Sequence, residues 1–590
     1  MKHLLLNLFL FASLLSSAQS TSQKDSAIQI TRVKISVTAT GYSASTLVEI
    51  ELLNPNSKVL DGEINFSLAE GQLINKFQLD INGHMRNGVV IEKQQARIAY
   101  ENVVRRKVDP GLLEMTAANQ YRVRVYPVPA NGKRLISFTV QQLLHFRGNQ
   151  ADYIFPLQFS SPVKNLTAEI AVQGEELPFT TTGLLEGQWF TAGNKKQLIF
   201  HSQTIPKNGW LLFSIPLNTP LTLCRLDNEC EPAFLARIKL DTLAVSRKTP
   251  STVTVFWDVS ASAMKRNLQK ELDFLEAYLQ SADPQSLTLI TFAIDVVREQ
   301  KFTTPAKKIA AIKQFLTAQK ADGGTRLNAL NCNNYPADEY MLFSDGQNTF
   351  GEGTVHMNNK PLFAIQSAVG ANTSLMKELA GNTGGKLVDL SLQNVTDAIA
   401  GLQQPLWKPV FTDQQTELFD LQVMESGQSF LVNGVNKQNA DSLVLAFAYG
   451  GVVKQVVLHL KNIACYTDRE TNANTVLNWQ QTTKSIANSD SLQTKAIEQS
   501  IVTATTSLIV LDAVEDYYQY GIAPPAELLE EFRKRYPLLP HKKEEKQKEK
   551  ELLVYNKLKQ SVDEYNEKMN WWNPGLKALH IPLPTENAKS

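Results

Sequence analysis

Five side chains at three places in the chain carry hard oxygen donors of the kind one divalent cation would take. They are Asp258, Ser260 and Ser262 in the run Asp258-Val259-Ser260-Ala261-Ser262, Thr325 in Gly323-Gly324-Thr325, and Asp345 in Ser344-Asp345-Gly346. Carboxylate and hydroxyl oxygens suit Mg2+, with Mn2+ or Ca2+ as alternatives, and do not suit zinc. An aspartate and two hydroxyls at alternate positions can all point inward from one turn. The two glycines before Thr325 let the backbone approach a ligand closely. Taken alone, Asp-x-Ser-x-Ser also describes a serine-rich turn in which Asp258 merely caps the next helix. Placement separates the two readings: each of the three pieces falls at the end of an expected strand.

Catalysis has less to stand on. The eight histidines (His3, His84, His145, His201, His356, His459, His541 and His580) are scattered, and none lies in a His-Glu-x-x-His or nucleophile-elbow setting. There is no Gly-x-x-x-x-Gly-Lys phosphate loop, and no nucleophile with a base beside it is legible. The expectation is a protein that is not an enzyme. Asp109-Pro110-Gly111 reads as a turn. The basic residues of Tyr121-Arg122-Val123-Arg124 alternate on one strand face, and a solvated face is expected there rather than a polyanion contact. With a net charge of +1 no strongly basic face is implied, which argues against nucleic acid as a partner. Four cysteines (Cys224, Cys230, Cys332 and Cys465) are too few for a disulfide scaffold, and their spacing is not a zinc signature. Cys224 and Cys230 are close enough to bridge; free buried thiols are the equal alternative.

The elements that must position the oxygen donors lie in a chain of 590 residues, too long for one core. With 43% hydrophobic and 20% charged residues it reads as globular. Over 251–402 strands and helices alternate: strands at 252–257, 287–293, 339–343, 362–365 and 387–390, helices at 264–279, 306–316 and 374–380. Leu268, Leu272, Leu275 and Leu279 form a helical stripe, and the strands are nearly all apolar, as strands covered on both faces are. Such alternation predicts a doubly wound parallel sheet, which binds ligands at the carboxyl ends of its strands. The loop 258–262 falls there. Residues 28–150 read instead as a β-sandwich-like domain, with strands at 47–53, 62–68, 77–81, 121–126 and 134–140 and one helix at 93–105. A β-rich connecting region spans 151–248, the α/β domain 249–405, and a further β-rich segment 406–520. The class is multidomain α/β plus β, with a helical C-terminus over 521–590. That end carries a mixed charge run at 541–551 and an apolar stripe of Val554, Leu558, Val562, Tyr565, Met569 and Trp572. Docking of the stripe on the body is expected over docking on a partner.

At the other end, Lys2 and His3 precede an apolar run over 4–15 and the small residues Ser16-Ser17-Ala18, the pattern of an export signal cleaved after about residue 18. No cysteine follows for a lipid anchor, and no segment is long and apolar enough to be transmembrane. A periplasmic or extracellular protein is expected.

Residues 251–405 resemble a von Willebrand factor A-type domain with the full five-residue metal-ion-dependent adhesion site. The resemblance implies Mg2+ held directly by Ser260, Ser262 and Thr325, and by Asp258 and Asp345 directly or through water. It also implies one coordination position left for a carboxylate of a partner protein. Two departures are Ala261, where that family often has glycine, and the bulky Trp257 before the site. The N-terminal part resembles the vault/inter-alpha-trypsin (VIT) domain, in Leu79-Asp80-Ile81-Asn82-Gly83, Gly88-Val89-Val90-Ile91-Glu92-Lys93, Ala96, Tyr100, Asp109-Pro110-Gly111-Leu112-Leu113-Glu114 and the run 121–129. Thr503-Ala504-Thr505-Thr506-Ser507-Leu508-Ile509-Val510 resembles the strand that follows the A domain in inter-alpha-trypsin inhibitor heavy chains. Together these pieces resemble that family over roughly 28–515. Its Asp-Pro-His cross-linking motif is missing, since Asp109-Pro110 is followed by Gly111 and Asp283-Pro284 by Gln285, so matrix cross-linking is not implied. The expected function is an exported, non-enzymatic adhesion protein that captures an acidic residue of a protein partner through Mg2+. The alternative is a structural or assembly protein that works through the VIT surface, its metal site vestigial or only stabilising.

Overall fold

The computed structural model describes residues 27–536, apart from 40–42, 148–149, 174–179, 184–188, 193–194, 203–208, 217–220, 228–231, 241–248, 352, 403–406, 411–418, 427–428, 437–439, 450–451 and 461–488. The expected export signal, the charge run at 541–551, the stripe from Val554 to Trp572, Cys230 and Cys465 lie outside the described residues. Among those described, Cys332 is a buried free thiol, and no helix is long and apolar enough to cross a membrane. The molecule is a mixed α/β, multidomain structure. Residues 1–510 form one compact unit and 511–590 a second, whose described helices are Val514–Gln519 and Ala526–Arg535.

The N-terminal layers are three sheets on a shared core, the smallest of them the four strands His145–Arg147, Gln150–Pro156, Trp210–Pro216 and Thr180–Gly183. The larger has eight strands, in the order Trp189–Ala192, Lys195–Ser202, Leu166–Gln173, Gln29–Ala39, Ser43–Leu53, Lys133–Leu143, Leu73–Ile81 and His84–Asn87. Strict alternation makes it: Val33, Ile35, Val37 and Ala39 are buried from one strand, and Val48, Ile50 and Leu52 from its neighbour. The second sheet has five strands, in the order Leu60–Ser67, Gln120–Val128, Gly111–Ala117, Thr506–Val510 and Val89–Glu92. Its inward residues, among them Ile64, Leu113, Tyr121, Val123 and Leu508, join Val33, Val48 and Phe77 in one cluster. The helix Lys93–Arg105 forms as the sequence predicts and buries Ala96, Ala99, Tyr100 and Val103. Asp109-Pro110 leads into a strand whose first residue is Gly111. Two features exceed the sequence reading. Leu166–Gln173, Trp189–Ala192 and Lys195–Ser202, from the expected connecting region, belong to the first sheet, and Thr506–Val510 returns from far along the chain to sit between Gly111–Ala117 and Val89–Glu92, antiparallel to both. A separate core is built by Phe234, Ile238, Val432, Leu445, Phe447 and Leu458, from a four- and a three-stranded sheet that flank the α/β region in sequence.

The α/β region contains a six-stranded sheet, in the order Val296–Thr303, Ser286–Phe292, Thr252–Asp258, Glu339–Phe343, Leu362–Gln366 and Leu387–Asp389. Five strands run parallel; Val296–Thr303 is an antiparallel edge. Sequence reading missed that strand, because all of it but Val296 and Phe302 is exposed and its charges leave no apolar period. Such residues blunt an open sheet edge. Both faces are covered. Leu272, Leu275, Leu279, Ile312, Leu316, Ala398 and Leu402 pack on one, and Met376, Leu379 and Ala380 on the other. The first helix starts at Leu268, not 264. A 3-10 turn at Ala261–Lys265 precedes it, Arg266 is extended, and the Asn267 side chain caps the helix by accepting from Lys270 N. Leu268 therefore stands outside the buried stripe.

Candidate metal centre

The parallel strands are laid out so that the chain moves from Thr252–Asp258 to one side first and then back to Glu339–Phe343 on the other. The crevice between those two strands is the switch point at which open α/β sheets take ligands. Asp258 ends one of these strands, and Asp345 lies two residues beyond the other.

Asp258 is buried and fully engaged. Its Oδ1 accepts from Ser260 N at 2.8 Å, folding the loop back on itself, and its Oδ2 accepts from Ser344 Oγ at 2.7 Å. The Ser260 and Ser262 hydroxyls lie 3.0 Å apart. Asp345 Oδ1 accepts from Gln347 N at 3.1 Å, and Ser262 is near enough to the same carboxylate to lower its pKa. Three of the five expected donors are thus directly linked, and Asp345 lies within electrostatic reach of Asp258. Thr325 sits on the adjoining loop, joined to the first by Ala261 N to Gly323 O at 2.9 Å and Asp322 N to Val259 O at 2.9 Å. Gly323 takes a left-handed φ of +75° in that loop. Thr325 N donates to Thr349 Oγ1 at 2.8 Å, while its own Oγ1 is buried and makes no hydrogen bond. Gly346 has φ +68°, and a Cβ there would lie 2.8 Å from Asn372 O, so no other residue fits beside Asp345.

A buried cation sits beneath this loop. Arg266 Nη1 donates to Phe343 O at 2.9 Å, Nη2 pairs with Glu271 Oε2 at 3.0 Å, and the guanidinium lies 5.4 Å from the Trp257 ring. Trp257 is buried in the core, its ring tilted 30° to that of Phe343 with centroids 4.5 Å apart. Sequence reading missed Arg266 and Ser344: neither type signals a site, and only the fold brings them under Asp258. Burial, and after it the charge of Asp258, holds the Asp345 carboxyl above its ordinary range, against the pull of the Gln347 N–H, Ser262 and Arg266. Burial likewise raises Glu271, although Arg266 and Ser367 oppose it.

The donors fit a hard divalent cation. The site offers two carboxylates and three hydroxyls, all oxygen, and it includes an orphaned buried hydroxyl at Thr325 that lacks only a partner. Among the described residues no group of three or more His, Cys, Asp and Glu converges to hold a metal. The donor set here draws its majority from hydroxyls instead.

The N-terminal layer beside the site has a recognisable identity. Residues 30–140 match the family model of the vault protein inter-alpha-trypsin domain. The human inter-alpha-trypsin inhibitor heavy chain H4 is 22% identical over 343 residues, which cover 54% of this chain and 36% of that protein. The chain thus spans about a third of that relative's length. Two solved structures of a zinc metallopeptidase from Deinococcus radiodurans align at TM-scores of 0.21, with 12% and 11% identity, over 35% and 34% of this chain and 46% and 44% of theirs. Scores this low carry no argument about fold or activity.

The VIT domain touches the loops of the candidate centre. Gln347 Nε2 donates to Ala118 O at 3.1 Å and to Gly370 O at 2.9 Å, and Asn119 Nδ2 donates to Ala371 O at 2.7 Å. Its basic strand is committed internally. Arg122 pairs with buried Glu114, and Arg124 lies 4.6 Å over the Tyr100 ring, so neither residue forms the freely solvated face that the alternation suggests.

Proposed function

We propose that residues 249–405 form a von Willebrand factor A-type domain that binds Mg2+ through Asp258, Ser260, Ser262, Thr325 and Asp345. The protein then acts as an exported, non-enzymatic adhesion protein that captures a carboxylate of a protein partner. The observation that carries this reading is the Thr325 hydroxyl, buried without a partner on a loop tied to Asp258 and Ser260 at the switch point. A buried hydroxyl without a hydrogen bond costs about 1–3 kcal/mol, a cost that a cation bound at Thr325 would remove. Mg2+ takes six oxygens in near-octahedral geometry, and the chain offers five donors, which leaves room for one from outside. Bound there, the ion would supply Lewis-acid attraction for a carboxylate. The chain's own residues do the rest: Asp258 orders the loop through Ser260 N, Ser344 fixes Asp258, and Arg266 offsets part of the acidic pair's repulsion. The match to heavy chain H4 supports a binding role, and the N-terminal pattern of Lys2 to Ala18 supports export.

Calorimetric titration of the full chain with MgCl2 tests the metal. Binding at one site is expected, abolished by Asp258→Ala. Affinity capture from an extracellular fraction, run with Mg2+ and with chelator, tests the partner. Capture that persists unchanged in chelator rules the mechanism out.

A further inference from the structure

Large apolar side chains are not scattered over the α/β region. Among its described residues 249–402, those left exposed are Met264 (74%), Leu268 (42%), Ile294 (37%), Val297 (53%) and Phe350 (54%). All five stand at the carboxyl ends of the parallel strands. Met264 and Leu268 follow the Asp258 loop. Ile294 and Val297 lie at the turn after Ser286–Phe292, whose last residue, Phe292, pairs with Asp258 on one side and Val296 on the other. Phe350 is in the loop after Asp345. Two of them flank the Thr325 loop directly: a Cβ on Gly324 would lie 3.5 Å from Phe350 Cβ and 3.9 Å from Ile294 Cγ1. Backbone bonds hold both in place, Phe350 N to Thr325 O at 2.9 Å and Arg326 N to Ala293 O at 3.0 Å. Beside Ile294, Asp295 pairs with the half-buried Arg326 at 3.2 Å. Single exposed apolar residues are ordinary; five gathered at the mouth of one polar crevice mark an interaction surface.

We propose that this rim reads the residues on either side of the captured carboxylate. The occupant is a segment of a partner protein in which an Asp or Glu is set between large aliphatic or aromatic residues. The proposal rests on the metal-and-carboxylate reading above and adds the partner's sequence chemistry. An acidic side chain directed at the crevice places its neighbours against Ile294 and Phe350 on one side and Met264 and Leu268 on the other. An interface of this layout has an apolar ring that excludes water around one charged contact, which strengthens that contact.

Panning a displayed library of random linear peptides on the immobilised full chain in MgCl2, with elution by chelator, tests it. The expected peptides carry Asp or Glu with a large apolar residue on at least one side. Phe350→Ser and Ile294→Ser should each weaken the best peptide about tenfold while leaving calorimetric Mg2+ binding as it is in the parent. Chelator-eluted peptides with the acid among polar residues overturn the rim and leave the carboxylate reading standing. Eluted peptides lacking any carboxylate, or no enrichment above a control panned in chelator, overturn both. Affinity indifferent to the two serine variants overturns the rim. So does sedimentation showing a Mg2+-dependent dimer that Phe350→Ser disperses, because the occupant is then a second copy of this chain.

Discussion

Thr325 buries a hydroxyl that costs the fold and gains nothing within it. Valine has the same shape without the oxygen. Thr325→Val is therefore expected to leave melting in chelator unchanged or raised, by up to about 1 kcal/mol, while removing the upward shift that Mg2+ gives the parent. Scanning fluorimetry of both proteins with Mg2+ and with chelator reads this. A variant that still shifts with Mg2+ would show that Thr325 is no ligand. Asp389 carries a separate, pH-linked prediction. Burial above all raises its carboxyl from an ordinary 3.8 to about 6, against hydrogen bonds from Ser391 and Gln366. Between those two values the folded chain holds a proton that the unfolded chain has lost, so stability falls as pH rises through the window. Asp389→Asn should flatten that part of the curve of urea midpoint against pH; an unchanged slope contradicts the assignment. At this scale the convergence of the candidate donors was legible, because oxygen-bearing residue types at expected strand ends are distinctive. Arg266, Glu271 and Ser344 were not, since an arginine, a glutamate and a serine acquire their roles only by lying beneath Asp258.

The strand Thr506–Val510 is buried at every position and is antiparallel to both its neighbours. Without it, Gly111–Ala117 and Val89–Glu92 each lose a hydrogen-bonded partner, and the shared core loses Leu508 and Val510. Leu508→Ala is expected to cost about 2–5 kcal/mol, read as a lower urea midpoint. A fragment of residues 27–216 should lack a cooperative transition and gain one when a synthetic peptide of residues 501–512 is added. A fragment that melts cooperatively alone would show that the strand is dispensable. Periodicity and apolar runs revealed most elements, the helix Lys93–Arg105 and the central parallel strands among them. They failed where physics erased the pattern: at the charged edge Val296–Thr303, and at the start of the helix, where Asn267 rather than the apolar stripe sets the boundary. The partners of Thr506–Val510 were also out of reach, because composition names a strand but not the distant edges it will pair with.

For the first compact unit as a whole, the VIT turn at Ala118-Asn119 and the loop after Asp345 share hydrogen bonds. Gln347 is the joint: its backbone N–H holds Asp345 Oδ1, and its side chain holds Ala118 O and Gly370 O. Asp345 O in turn accepts from Asn372 N at 2.7 Å, one residue past the carbonyl that Asn119 bonds. On the proposed metal-binding reading, a cation drawn to the Asp345 carboxylate acts on a loop that the VIT turn already holds. Coupling of this kind is reciprocal. Asn119 has φ +57°, so Asn119→Gly keeps the turn unstrained while deleting the bond to Ala371 O. One hydrogen bond of about 1 kcal/mol, only part of it coupled, predicts Mg2+ affinity lower by at most about fivefold. The same variant should show a smaller Mg2+-induced rise in the melting of the whole unit. Calorimetric titration reads the first and scanning calorimetry the second. An affinity equal to the parent's, from a protein that has lost this bond, would mean that the VIT domain holds the loop without tuning it, and that the two domains share a surface but no free energy of binding.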